Sequence, residues 1–124
     1  MNNSPEFDER VLVMLRRVGK GKLLEPMASL FEKSAPARMS AMREAVRAGR
    51  AADAAMPAHS LKSSAGQLGA VGLQGMCGDI ERAAEEGDDA RVEALVSAAE
   101  PMLLRALAWI KSSVSEEGNQ ECPR

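Results

Sequence analysis

The chain has a single histidine, His59, in a stretch that reads Ala-His-Ser-Leu-Lys-Ser-Ser-Ala-Gly-Gln-Leu-Gly-Ala from Ala58 to Ala70. At helical spacing, Lys62 and Ser63 fall one turn after the histidine, and Gly66 and Gln67 two turns after it, on a shared face. A neutral imidazole is a competent nucleophile. An ordinary histidine titrates at about 6.5, so much of it is neutral near neutral pH. The combination is one nucleophile with a cation at its shoulder. Ala55, Ser63 and Gly66 are small, so little obstructs a partner approaching the ring.

Other constellations carry less. Gly19-Lys20-Gly21-Lys22 pairs glycine with lysine but lacks the Gly-x4-Gly-Lys-Ser/Thr spacing of a phosphate-binding loop, and reads as a helix-terminating turn. No Ser-His-Asp or Cys-His arrangement has a recognisable signature. One histidine and two distant cysteines, Cys77 and Cys122, do not form a metal-ligand set, so no metal is expected.

The elements that must position His59 follow from composition and pattern. With 124 residues, the chain is expected to form one domain that buries on the order of two thirds of its unfolded surface. Alanine, leucine, methionine and arginine are abundant, while Phe7, Phe31 and Trp109 are the only aromatic residues. That balance favours helix over strand, with a core of aliphatic and methionine side chains. A net charge of −2 with both signs interspersed argues against a nucleic-acid binder and gives no reason to expect a membrane surface. Cys77 reads as a small core residue and Cys122 as part of a polar tail. No secretory-type apolar stretch opens the chain and no apolar run approaches 18 residues. The protein is therefore expected to be soluble and cytoplasmic.

Read in order, residues 1–6 are expected to be a flexible N-terminus. A short helix follows from Phe7 to Val18, with Phe7, Val11, Met14 or Leu15, and Val18 inward. A second runs from Leu23 to Ala48 on Leu24, Met27, Phe31, Ala35, Met42 and Ala45. Pro26 fits its first turn, whereas Pro36 predicts a kink or two helices end to end. Asp53 is the expected N-cap of a third helix, placing Pro57 near its first turn, with Gly69 as its stop. Ala54, Ala58, Leu61, Ala65 and Leu68 form the inner stripe of that helix, which leaves His59 on the flank near solvent.

A fourth helix spans about Leu73 to Glu86, with Leu73, Met76 or Cys77, Ile80, and Ala83 or Ala84 inward and Gly87 as its stop. Glycines at 66, 69, 72, 75 and 78 recur every third residue without the proline pattern of collagen. Gly75 and Gly78 are placed to permit close helix packing. Asp88 or Asp89 caps a last helix through Val92, Leu95, Val96, Met102 or Leu103, Ala106, Trp109 and Ile110, with a kink at Pro101. Residues 115–124 are expected to form a flexible tail. The fold class is all-α: an antiparallel four-helix bundle with a short additional N-terminal helix.

His59-x-Leu61-Lys62 followed by a small residue, Ala65 and Leu68-Gly69-Ala70 resembles the signature of histidine phosphotransfer (HPt) domains, and the helix pattern of residues 7–114 matches that family's length. The family usually has glycine where this chain has Ser63. The resemblance implies that His59 accepts a phosphoryl group from the aspartate of a receiver domain and passes it to another receiver. Lys62 would approach the phosphate oxygens. It also implies a polar side chain on the next helix that bonds the second ring nitrogen and fixes the tautomer. Ungapped alignment of the motif puts Glu81 there, and Gln67 competes for the role from the same helix.

On this reading the chain is not a kinase and carries no cofactor, because Mg²⁺ is expected on the partner receiver. The implied partners are response-regulator receiver domains and a hybrid sensor kinase, with the protein itself a monomer. Met56 and Val71 are candidates for an apolar patch around the histidine. A second function class fits the same sequence: a non-catalytic helical adaptor that binds a regulatory protein through a bundle face.

Overall fold

A computed structural model of the chain describes residues 6–19 and 21–120. Helices α1 (Glu9–Arg17), α2 (Leu24–Arg47), α3 (Ala55–Gln67), α4 (Val71–Glu85) and α5 (Asp89–Gln120) account for most of it, with a 3-10 turn, Ala51–Ala54, leading into α3. No strand occurs among the described residues. α2 and α4 each pack against both α3 and α5, so helices adjacent in sequence are adjacent around a four-helix bundle, with α3 and α4 in the most extensive contact. α1 is the additional helix. It reaches from the α3–α4 turn, where the Asp8 amide donates to the Gly69 carbonyl at 2.8 Å, to α5, where Arg16 donates to the Ser113 carbonyl at 3.1 Å. Phe7 stacks on Trp109 beside it, with centroids 4.4 Å apart.

The core is the one the apolar spacing implies. Leu24, Met42, Leu61, Leu68, Leu73, Cys77, Ile80 and Val92 are fully buried. Ala54, Ala58 and Ala65 are buried with Leu61, which completes the inner stripe of α3. Small side chains there bring its neighbours close. Where periodicity left a choice, α1 buries Leu15, and Leu12 with it, while Met14 is exposed. Val18, expected inward, is also exposed, because α1 lies along one end of the bundle and covers its core with a narrow stripe. α4 buries Cys77, with Met76 only partly covered, and both Ala83 and Ala84.

The helix ends show which signals mattered. Asp8 caps α1, its carboxylate accepting from the Arg10 amide at 3.1 Å. Asp88, rather than Asp89, caps α5 by accepting from the Arg91 amide at 3.2 Å. Gly49, Gly69 and Gly87, the expected stops, all have positive φ. Gly69 (φ 83°) is doubly required, since a Cβ there would lie 2.6 Å from the Asp8 carbonyl oxygen.

Asp53 does not cap α3. It lies in the 3-10 turn, where its amide donates to the Arg50 carbonyl at 2.8 Å, and α3 starts at Ala55 without a side-chain cap. Pro57 is still in the first turn, where no intrahelical acceptor awaits an N–H.

Pro36 does not divide α2, which is one helix from Leu24 to Arg47. The proline removes one backbone hydrogen bond, while Phe31, Ala35 and Met39 are buried on both sides of it and hold the two halves in the core. Pro101 is likewise interior to α5, between buried Ala99 and Leu103.

At the inner edges of the two expected tails the described residues take part in the fold. Glu6 is tied down: its carbonyl accepts from the Gly72 amide at 2.9 Å and its carboxylate pairs with Arg105 at 2.8 Å. At the other end α5 continues beyond Ser115 to Gln120. Residues 1–5 and 121–124, including Cys122, lie outside the described residues, as does Lys20.

Leu61 joins the core to the helix that carries His59. Leu61→Ala is expected to cost about 2–5 kcal/mol in urea unfolding, and a loss below about 1 kcal/mol would contradict its role as a packed centre.

Candidate functional site

Burial of Ala58, Leu61 and Ala65 fixes the rotation of α3, and that rotation turns His59 outward, with its side chain 59% exposed. The neighbouring helix α4 then approaches closely on one flank. Gly78 of α4 lies beneath the Lys62 stem: a Cβ added there would sit 3.6 Å from Lys62 Cδ. Gly66 of α3 plays the reciprocal part. Its missing side chain leaves room for Gln74 of α4, whose amide carbon would be 2.9 Å from a Cβ at that position. Of these two mid-helix glycines, each costing about 1 kcal/mol relative to alanine, Gly66 is accounted for by the room it leaves to Gln74, whereas a Cβ at Gly78 would make only ordinary van der Waals contact with the Lys62 stem. Gly75, by contrast, faces open space and contributes nothing to the contact.

Glu81, two turns along α4 from Gln74, joins the two helices. Its Oε2 lies 2.9 Å from His59 Nδ1 and its Oε1 2.7 Å from Lys62 Nζ. The Glu81 side chain is 17% exposed, so both contacts are partly shielded from water. The hydrogen bond from Lys62 is the main cause that holds the Glu81 carboxyl below the ordinary glutamate value of 4.5. The bond from His59 adds to it, while partial burial pulls the other way. At neutral pH Glu81 is a carboxylate and can only accept. The proton of the neutral ring is therefore on Nδ1, and Nε2 keeps its lone pair on the side turned away from Glu81. An imidazole with a fixed tautomer and an open face results.

The remaining sequence candidates divide. Ser63 is exposed beside His59, and Ala55 and Gly66 are half-buried small neighbours. Met56 is 77% exposed three residues before the histidine, while Val71 is half-buried. Gln67 does not join the site. It lines a groove of about 150 Å³ against α2, with Met27, Leu30, Ser34, Arg38 and Ser64. Eight residues along a helix leave it about 80° from His59, toward α2, whereas Lys62 is turned toward α4. Gln74 was not legible as a neighbour of the site, although a glycine in mid-helix at position 66 was its signal. Cys77 takes no part: burial pushes its thiol up to about 12, against the opposing effect of the nearby Lys62 charge. Among the described residues, no cluster of three or more His, Cys, Asp or Glu side chains is placed to hold a metal ion, and no helix is long and apolar enough to cross a membrane.

A carboxylate whose folded-state pKa is depressed adds stability that is present above its unfolded value and is lost as pH falls through the folded one. The stability gap between wild type and Glu81→Gln is therefore expected to hold from pH 7 to 5 and to close below about pH 4.5. Chemical unfolding across that range checks it, and a gap unchanged at pH 2.5 would contradict the pairing.

Comparison with known proteins places this geometry in context. A family model described as the Hpt domain matches residues 26–109. Among solved structures, the chain is similar to the crystal structure of histidine-containing phosphotransfer protein B (HptB) from Pseudomonas aeruginosa PAO1. The TM-score is 0.83 and the identity 27%, over 92% of this chain and 98% of that one. No curated protein matches. The family match runs from the first turn of α2 into the second half of α5 and includes all of α3 and α4, the helices that carry His59, Lys62 and Glu81. The chain belongs to the Hpt domain family.

Proposed function

We propose that the protein is a phosphorelay intermediate in which His59 accepts a phosphoryl group from a receiver-domain aspartate and donates it to another receiver. The observation that carries this reading is the 2.9 Å contact between His59 Nδ1 and Glu81 on a ring that is otherwise exposed. It leaves Nε2 as the attacking atom. Its lone pair forms the N–P bond as the bond from phosphorus to the aspartate oxygen breaks, and the electron pair stays on the aspartate. Phosphoryl transfer passes through a loose transition state, so positioning and charge stabilisation do most of the work.

Each residue of the cluster has a part in this. Glu81 sets the tautomer and the direction of Nε2. Lys62, 34% exposed and on a flexible stem, supplies a cation to the phosphoryl oxygens. Ala55, Ser63 and Gly66 keep the approach low enough for an in-line geometry. The acidic pocket and its Mg²⁺ belong to the receiver. The protein acts as a monomeric intermediate in the cytoplasm and not as a kinase, with response-regulator receivers and a hybrid sensor kinase as its partners. Membership of the Hpt domain family and the similarity to HptB support the reading.

Incubation with a phosphorylated receiver domain tests it. Wild type is expected to gain an acid-labile, base-stable label on His59, and His59→Gln none. Lys62→Ala should still be labelled at His59, but roughly ten- to a hundredfold more slowly. Label on His59→Gln, or none on wild type with any receiver of the same organism, would refute the proposal.

A further inference from the structure

The two contacts of Glu81 differ in what phosphorylation does to them. On the function proposed above, His59 begins neutral with its proton on Nδ1, and the charges beside it are the Glu81 carboxylate and the Lys62 ammonium, paired at 2.7 Å. When Nε2 takes the phosphoryl group, the ring keeps its Nδ1 proton and becomes a cationic phosphoimidazolium. The phosphoryl oxygens bring two negative charges. Four charged groups must then be accommodated where two stood.

We infer that Glu81 is a counter-charge handed from Lys62 to His59, so that phosphoryl transfer leaves each charged group at the site beside one of opposite sign and moves no proton. Glu81 Oε2 already holds Nδ1 at 2.9 Å and keeps it, now as an ion pair with the phosphoimidazolium. Lys62 leaves Oε1 for the phosphoryl oxygens. It is one helical turn from His59, and its stem lies over Gly78, where no side chain of α4 stands in the way of its swing. Onward transfer reverses each move. The N–P electron pair returns to Nε2, the ring departs as neutral imidazole with Nδ1 still protonated, and Lys62 returns to Glu81.

This assigns Glu81 a positioning role that a neutral acceptor cannot fill. A glutamine would still accept a hydrogen bond from Nδ1 but would offer the phosphorylated ring no counter-charge. Nδ1 then loses its proton more readily, and the leaving group becomes an imidazolate, which is a poorer one. The other titratable and charged groups on α4 are Cys77, which is buried, Asp79 and Arg82, which pair with each other at 3.1 Å, and Glu85; on the other elements packed against α3, Arg38 of α2 lines the groove at Gln67 and Asp53 lies in the 3-10 turn. Cys77 remains a neutral thiol, and Glu81 bonds to His59 and Lys62, so the exchange runs among these three residues.

The test uses the full chain phosphorylated at His59 with phosphoramidate, a small N–P donor, and follows its ring nitrogens by ¹⁵N NMR from pH 6 to 9. In wild type, Nδ1 is expected to stay protonated through most of that range, and the Lys62 Nζ resonance to move on phosphorylation. In Glu81→Gln, which retains size and an acceptor, the Nδ1 midpoint should fall by at least about one pH unit. Lys62→Gln should keep the wild-type midpoint but lose its phosphoryl group several-fold faster. Equal midpoints in wild type and Glu81→Gln, or a Lys62 resonance indifferent to phosphorylation, would overturn the exchange. Wild type labelled by phosphoramidate but by no receiver would remove the relay function and leave the exchange intact. Failure of phosphoramidate to label an exposed His59 would remove both.

Discussion

One carboxylate oxygen of Glu81 lies 2.9 Å from His59 and the other 2.7 Å from Lys62, and both distances depend on how closely α3 and α4 pack. Side chains of ordinary bulk at the contact would spread the helices and open both bonds. The sequence meets this with alanines at 58 and 65 on the inner face of α3 and with glycines where the stem of Lys62 and the amide of Gln74 cross between the helices. Propensity lost at Gly66 is exchanged for room for the Gln74 amide between the helices. Neither α3 nor α4 has a side-chain N-cap, so burial, more than end signals, holds them in place.

The rest of the bundle keeps that pair of helices in register. α5 and α2 close the ring on the far side, and α1 fastens the α3–α4 turn through the Asp8 amide and the Gly69 carbonyl. Glu6 adds a second tie to the same turn at Gly72. A turn anchored twice limits sliding of α3 along α4, and sliding by one residue would carry Glu81 about 1.5 Å along the helix, enough to break a hydrogen bond. The precision of the site therefore rests in part on contacts far from His59.

Much of this was legible in the residues. Alternation of Ala54, Ala58, Leu61, Ala65 and Leu68 predicted the buried stripe and with it the outward His59, because burial periodicity is a property of one helix alone. The choice between Glu81 and Gln67 was not of that kind. It depends on which flank of α3 faces α4, and that is set by packing between helices. The spacing read Gln67 as sharing the face of His59, whereas eight residues carry it about 80° round the helix, toward what proved to be α2. Pro36 and Pro101 divide neither helix: their local cost is real, but the cores of α2 and α5 are continuous across them. Asp53 had the chemistry of a cap, yet the buried alanines at 51 and 54 draw the chain into a tight 3-10 turn before α3 begins. The one signal for Gln74 was the mid-helix glycine that faces it at position 66, and the periodicity of a single helix does not pair the two.

The claim on which the account depends is that Glu81 reserves one ring nitrogen for the proton and the other for the phosphoryl group. After transfer from a phosphorylated receiver, coupling between ³¹P and the ring ¹⁵N nuclei of His59 identifies the atom that carries phosphorus. The account predicts phosphorus on Nε2, with Nδ1 bearing hydrogen. Phosphorus on Nδ1, or on a residue other than His59, would contradict it.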